Sequence, residues 1–193
     1  MQDYITAEIG RSADLVSALA GDAGLRQSLE AAARACATCL EGGGKVLLAG
    51  NGGSAAEAQH FAAELVSRFA FDRDALPAQA LTTDTSILTA IGNDYGFDQV
   101  FARQVRAHGR QGDVLIGLSA SGTSPNVLRA FEAARERGLV TIGFTGDRGG
   151  PMRQLCDHLV EVPSADTPRI QEGHLVLGHI LCGLVERARF GPR

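Results

Sequence analysis

The chain has 193 residues, of which 45% are hydrophobic, and its formal net charge is −4. This length can bury a full core, and the lack of any basic block argues against a nucleic-acid-binding surface. Its apolar runs are too short to span a bilayer, and its N-terminus lacks the apolar stretch of a signal peptide. We therefore expect a cytoplasmic protein with neither a membrane nor a nucleic-acid partner.

The predicted elements alternate between strand and helix after an all-helical start. Two helical patterns occupy about residues 3–20 and 23–41, and a glycine triplet ends the second. Five strands are predicted at 45–49, 78–81, 113–118, 140–144 and 159–162, with helices at 55–69, just after 85, at 125–137 and at 168–188. This order predicts an α/β fold, a three-layer sandwich with a five-stranded parallel sheet. The turns at 50–54, 82–85 and 119–124 should gather at its carboxyl edge, where such sheets bind ligands.

Cys36 and Cys39 form a C-x-x-C within an alanine-rich helical pattern. There is no second cysteine pair to complete a zinc site, and no thioredoxin-like context surrounds the motif. We interpret both cysteines as small core residues.

The run Ser119-Ala-Ser-Gly-Thr-Ser124 connects a predicted buried strand to a predicted helix that begins with Pro125. Backbone N–H groups and hydroxyls at such a point can bind a phosphate, aided by the positive end of the helix dipole. No Gly-Lys-Ser/Thr follows, which argues against a nucleotide P-loop and favours a phosphosugar. An ordinary turn with a helix N-cap is the alternative.

His60 and Glu64 are four residues apart in a predicted helix, so both project from one face. An imidazole and a carboxylate at this spacing can share a divalent metal, or act as a base and its orienting partner. A surface hydrogen-bonded pair is the alternative. The helix follows a glycine-rich turn and is otherwise rich in Ala, Phe, Leu and Val, which favours a polar face that lines a pocket.

The last helix carries Gln171, His174 and His179. His174 and His179 lie about 140° apart around a helix and cannot easily bind one ion together. Gln171 and His179 differ by about 80° and could both reach a metal beside the helix. His179 lies in an apolar stretch, so a core histidine with a hydrogen-bond partner and a metal ligand both remain open.

Taken in order, these motifs resemble the sugar isomerase (SIS) domain family. They are Gly50-Asn-Gly-Gly-Ser54 with Gln59-His60, Ala63-Glu64-Leu65, Gly92-Asn93-Asp94, Ser119-x-Ser-Gly-x-Ser124, and Arg169-Ile-Gln171-Glu-x-His174 with His179. The resemblance implies a single SIS domain over residues 1–193 with a flavodoxin-like fold. In it, residues 1–41 form a helical segment used in oligomerisation, and residues 42–188 form the isomerase core.

The implied activity is an aldose–ketose isomerisation. The chain looks most like members that convert D-sedoheptulose 7-phosphate to D-glycero-D-manno-heptose 7-phosphate, the first step towards nucleotide-activated heptose. The resemblance implies Glu64 as the base, His179 as the acid or proton shuttle, and one zinc ion per subunit. It also implies a homotetramer with shared active sites.

The site residues carried over by position form two sets. The metal ligands fall on His60, Glu64, Gln171 and His179. Substrate contacts fall on Asn51, Gly52, Gly53, Glu64, Asn93, Asp94, Ser119, Ala120, Ser121, Ser124 and Gln171. Ala120 is often threonine in relatives, which matters little if its backbone N–H makes the contact. His174 matches the family too, but its helical position places it outside the ligand set.

Two other functions are compatible with a SIS fold. Non-catalytic relatives that bind the bacterial replication initiator resemble this chain, but they lose the acidic residue at Glu64 and the histidine at His179. This chain keeps both. Sugar-phosphate-binding regulatory modules usually come fused to a DNA-binding or synthase domain, and no such segment is present in the 193 residues. The enzyme is therefore the favoured hypothesis.

Overall fold

The computed structural model describes residues 1–191. Its centre is a five-stranded sheet in the order β2-β1-β3-β4-β5, and every neighbouring pair is parallel. The strands are β1 (Val46–Gly50), β2 (Ala78–Ala80), β3 (Val114–Leu118), β4 (Val140–Gly146) and β5 (His158–Val162). The predicted α/β fold with a five-stranded parallel sheet is confirmed.

Seven helices surround this sheet within residues 1–191. They are α1 (Gln2–Gly21), α2 (Ala23–Glu41), α3 (Gly53–Val66), α4 (Thr85–Tyr95), α5 (Val100–His108), α6 (Pro125–Glu136) and α7 (Thr167–Phe190). Short 3₁₀ turns occupy Phe97–Gln99 and Gly150–Gln154. None of these helices is both long enough and apolar enough to cross a membrane.

Residues on the central strands alternate between two separate cores. Val46 and Leu48 of β1 face a core shared with α1, α2, α3 and α7. Leu47 and Ala49 face the opposite core, which α5 and α6 cover. Because strand side chains point alternately to the two faces, a strand buried on both sides must be apolar at every position. The three-layer arrangement follows from this pattern.

Helix α5 is absent from the sequence prediction. It has only nine residues, and glycines stand close to both of its ends, so its periodic signal is short. Val100, Phe101 and Val105 are buried where α5 packs against α6. Tertiary packing therefore stabilises a helix that its local sequence marks only weakly.

Both cysteines of the C-x-x-C motif are buried in α2, which confirms their interpretation as core residues. Burial raises the pKa of the Cys39 thiol to about 11. A thiol with so high a pKa stays protonated near neutral pH and is a poor metal ligand.

Candidate active site

The site lies at the carboxyl edge of the sheet, where β1 and β3 end side by side. Gly50 at the end of β1 is in register with Leu118 at the end of β3. The side-chain amides of Asn51 and Asn126 exchange two hydrogen bonds of 2.8 Å each, which join the turn after β1 to the start of α6. The parallel register therefore brings the two predicted loops together.

The loop after β3 is held by its own hydroxyl groups. Ser119 Oγ lies 2.8 Å from Ser124 Oγ, and Ser121 Oγ lies 2.8 Å from Thr123 Oγ1. Gly122 has φ +66, a conformation that glycine adopts without strain. A side chain at this position would also collide with the backbone of Gly149.

Ser124 occupies the N-cap position of α6, but its side chain makes no capping hydrogen bond. Within residues 1–191, the backbone N–H groups of Ala120, Ser121 and Ser124 have no hydrogen-bond partner. The loop therefore offers free N–H donors beside a helix N-terminus, as a phosphate site requires. An ordinary capped turn would have used the Ser124 hydroxyl for its cap.

A second group of polar side chains, His60, Glu64 and His179, meets where α3 packs against α7. His60 Nε2 lies 2.7 Å from His179 Nε2 and 3.4 Å from Glu64 Oε1. One potential ligand atom from each residue falls within 4.8 Å of the others. Ligand atoms around a tetrahedral zinc ion lie roughly 3–4 Å apart. The distance from His60 to Glu64 falls in this range, whereas the two Nε2 atoms are at hydrogen-bond distance and would have to move apart by about 0.3 Å or more to share an ion. The cluster is a candidate metal centre.

A glycine on α7 allows the two halves of this cluster to meet. Gly178 lies directly against the ring of Phe61, where any added Cβ would collide with the ring. Because Gly178 precedes His179 and Phe61 follows His60, the close approach of α7 to α3 places the two histidines together. Nothing in the local sequence marks Gly178 for this role.

Gln171, the fourth predicted ligand, points to another part of the site. Its side-chain amide lies over Gly53, so that a Cβ on Gly53 would come within 2.5 Å of Gln171 Nε2. Gln171 makes no hydrogen bond to His60, Glu64 or His179. Gln171 belongs to α7, and its amide contacts the first residue of α3. Its role as a metal ligand stays a prediction.

Asn93 and Asp94 lie on α4 and are exposed. Asn93 Nδ2 donates a 2.8 Å hydrogen bond to Asp94 Oδ1, and no hydrogen bond joins either residue to the His60, Glu64 and His179 cluster. Their contact with substrate also stays a prediction.

His174 is fully buried and stands apart from the cluster, in agreement with the helical-wheel analysis. Neither of its ring nitrogens has a hydrogen-bond partner within the described chain. Its Nδ1 lies 3.8 Å from Glu57 Oε2, and its ring packs edge-on to Phe144 with centroids 5.7 Å apart. The sequence analysis missed Glu57, although it is an acidic residue in an alanine-rich helix and lies one turn before His60.

Two further neighbours shape the surroundings of the cluster. The Phe69 ring packs against His179 with centroids 5.7 Å apart. Burial, with a smaller contribution from the Glu64 carboxylate, raises the pKa of the Cys182 thiol to about 12. Cys182 therefore stays protonated at neutral pH, which leaves imidazole and carboxylate as the reactive groups.

Comparison with known proteins identifies the family. The SIS domain family model matches residues 12–146. A phosphoheptose isomerase from Burkholderia pseudomallei (strain 1710b) is 63% identical over 190 residues, which are 98% of this chain and 96% of that protein.

Two solved structures are also similar over nearly the whole chain. The phosphoheptose isomerase GmhA of Neisseria gonorrhoeae has a TM-score of 0.90 at 46% identity, and a phosphoheptose isomerase of Francisella tularensis has 0.92 at 39%. Each alignment covers 96% of this chain and 98% of the solved one. The chain therefore belongs to the SIS domain family and falls among its phosphoheptose isomerases.

Proposed function

We propose that the chain interconverts D-sedoheptulose 7-phosphate and D-glycero-D-manno-heptose 7-phosphate, the first step towards nucleotide-activated heptose. The observation that carries this proposal is the His60, Glu64 and His179 cluster in a chain that also has a loop with free N–H donors at the carboxyl edge of its sheet. The cluster would act on the reacting carbonyl of the substrate, and the loop would bind its distant phosphate. The names of the similar proteins support the same reaction.

The loop 119–124 would bind the phosphate. Its free N–H groups at Ala120, Ser121 and Ser124 and its serine hydroxyls can all donate to a dianion. Hydrogen bonds to charged groups contribute about 1.5–3 kcal/mol each. Because the phosphate is far from the reacting carbons, this binding energy orients C1 and C2 in the site.

Glu64 and His179 would move the protons. The isomerisation transfers a proton between C1 and C2 through an enediolate, so it needs a base and an acid close to both carbons. The Glu64 side chain keeps 21% of its surface exposed, so a ligand in the site can reach its carboxylate. His179 lies within the same cluster and can return a proton to the developing oxyanion.

His60, Glu64 and His179, together with Gln171, would hold one zinc ion per subunit. When bound, the ion would polarise the carbonyl and hydroxyl oxygens of the substrate. Two imidazoles and a carboxylate are ligands that suit zinc, and the Gln171 amide oxygen would be the fourth. Of the four, Gln171 would have to turn away from Gly53 to complete the set.

A non-catalytic protein that binds the replication initiator is the weaker alternative. Such a protein needs neither the acid nor the base, whereas Glu64 and His179 are both present here and belong to one cluster. Identity of 63% to a phosphoheptose isomerase also favours the enzyme.

We also propose that the N-terminal segment, residues 1–41, builds a homotetramer with shared active sites. Ile5, Ile9 and Val16 of α1 and Ile180 of α7 are large apolar side chains left exposed on one chain. Burial of such surface drives association.

Sugar phosphates are dianions that do not cross a bilayer unaided, so the cytoplasm is the compartment we propose for the reaction.

The test is incubation with sedoheptulose 7-phosphate, followed by NMR for the appearance of an aldose phosphate. A chelator should stop the reaction and added zinc should restore it. Glu64→Gln keeps the shape of the side chain and removes the proton acceptor, so turnover should fall by roughly 10²–10⁴. If the metal-loaded protein formed no aldose phosphate, the proposed function would be wrong. If Glu64→Gln matched the wild type, Glu64 would not be the base.

A further inference from the structure

A buried ion pair joins the segment after α3 to α7. Glu186 of α7 and Arg73, in the segment between α3 and β2, keep only 1% and 2% of their side-chain surfaces exposed. Arg73 Nε donates to Glu186 Oε1 at 3.1 Å. The carboxylate also accepts hydrogen bonds from the backbone N–H groups of Phe69 (2.9 Å) and Ala70 (2.8 Å).

These hydrogen bonds stabilise the ionised form of the Glu186 carboxylate. Burial favours the neutral acid, but the hydrogen bonds from Phe69, Ala70 and Arg73 outweigh it, and the pKa of Glu186 lies below its usual value. A buried ionised pair with every bond satisfied fixes the geometry of the groups that contact it.

Arg73 connects the pair to Glu64. Its Nη2 donates to the backbone carbonyl of Glu64 at 2.8 Å, and its Nη1 donates to the carbonyls of Leu65 at 2.7 Å and Ser67 at 3.1 Å. The last carbonyls of a helix have no partners within the helix itself. The guanidinium therefore caps the final turn of α3, and that turn carries the proposed catalytic base.

Glu186 connects the pair to His179. Glu186 accepts a hydrogen bond from the backbone N–H of Phe69. The Phe69 ring packs against His179 with centroids 5.7 Å apart. Glu186 also stands seven residues after His179 on α7, so both project from the same side of the helix. The Arg73–Glu186 ion pair therefore contacts the last turn of α3, which carries Glu64, and the backbone of Phe69, whose ring packs against His179.

We infer that Arg73 and Glu186 are positioning residues, which hold the last turn of α3 against α7 so that Glu64 meets His179. This inference rests on the proposed function for its catalytic meaning. The chain contains a matched ion pair that serves as a control.

That control is Asp113 with Lys45. The Asp113 side chain is 3% exposed and accepts hydrogen bonds from the backbone N–H groups of Lys45 and Arg110, each at 2.9 Å, and from Lys45 Nζ at 2.6 Å. It therefore has the same set of donors as Glu186, two backbone amides and one cation. Asp113 precedes β3, so it lies at the amino edge of the sheet, opposite the site.

The experiment compares Glu186→Gln with Asp113→Asn at a temperature where circular dichroism shows both to be folded. Both variants should melt below the wild type. Only Glu186→Gln should bind Co²⁺ less tightly and turn over more slowly, by about 10–100-fold, as is usual when a group that orients metal ligands is lost. Asp113→Asn should stay within about twofold of the wild type in both measurements.

A metal-free readout keeps this inference separate from the proposed function. In the apo protein, the ring signals of His60 and His179 in a ¹H–¹³C spectrum should shift in Glu186→Gln and stay in place in Asp113→Asn. Unshifted ring signals together with unchanged Co²⁺ affinity in folded Glu186→Gln would overturn the inference, whatever the wild-type activity. A wild type that failed to isomerise sedoheptulose 7-phosphate would instead overturn the proposed function.

Phe69→Ala provides a second variant in case Glu186→Gln does not fold. Phe69 is 37% exposed, so loss of its ring should disturb stability much less. The same shift of the His179 signal and a loss of Co²⁺ affinity of about tenfold are expected. An unchanged His179 signal in Phe69→Ala would contradict the connection from Glu186 to His179.

Discussion

Gly53→Ala should separate activity from stability, because Gly53 is the first residue of α3 and lies under the amide of Gln171. A Cβ there would stand 2.5 Å from Gln171 Nε2 and 2.9 Å from both Cδ and Oε1. Ordinary contacts begin at 3.4 Å, so the amide must move by about 0.9 Å. A misplacement of about 1 Å in an active site can cost about 10²-fold in rate.

The effect on folding should be small and of opposite sign. Gly53 is exposed, its φ lies outside the left-handed region, and alanine is favoured over glycine within a helix by up to about 1 kcal/mol. The melting temperature should therefore hold or rise slightly while kcat/KM falls by about 10²-fold. Co²⁺ affinity should not fall, because the amide has to leave Gly53 in any case to act as the fourth ligand.

Gly10→Ala is the matched control for this substitution. Gly10 lies in α1, and a Cβ there would meet no atom within 4 Å. This variant should gain the same helix preference and keep wild-type kinetics and metal affinity. If Gly53→Ala also kept wild-type kinetics, the position of the Gln171 amide over Gly53 would have no part in turnover.

Three further outcomes are expected. His179→Ala should abolish activity and reduce bound metal. His174→Ala should retain metal and lower the melting temperature, because His174 is fully buried and outside the cluster; metal analysis showing the reverse would refute the assignment on α7. Ser121→Ala combined with Ser124→Ala should weaken substrate binding by about 10²-fold or more. It should lower the melting temperature only slightly, through loss of the hydroxyl pairs with Ser119 and Thr123; unaltered kinetics with a large loss of stability would make these serines purely structural. Although burial opposes it, hydrogen bonds from Lys45 and Arg110 lower the pKa of Asp113. Its ionised form therefore stabilises the fold above an unfolded pKa of about 3.9, and this contribution is lost as the pH falls through the lower folded pKa. Urea unfolding at pH 7 and pH 3 should show the stability gap between wild type and Asp113→Asn narrowing in acid, and a gap that widened would contradict the assignment.

The sequence alone determined the features that depend on local periodicity. Alternating strands and helices predicted the parallel sheet, and the four-residue spacing of His60 and Glu64 predicted their shared face, where their side chains lie 3.4 Å apart. Backbone geometry sets such relations within a few residues, so they can be recognised without the rest of the fold.

Helical geometry also excluded His174 from the His179 site, although it could not show what His174 contacts. The structure places Glu57 and Phe144 beside it. Those two residues come from α3 and β4, and a helical wheel holds no information about neighbouring elements.

The completed cluster was decided only by tertiary packing. His60 and His179 are 119 residues apart and meet because Gly178 lets α7 press against Phe61. Arg73 and Glu186 are likewise 113 residues apart, and the orientation of Gln171 over Gly53 depends on the same contact between α3 and α7. Side chains this distant in sequence are brought together by the close packing of whole elements, so their distances depend on the entire core rather than on any local pattern.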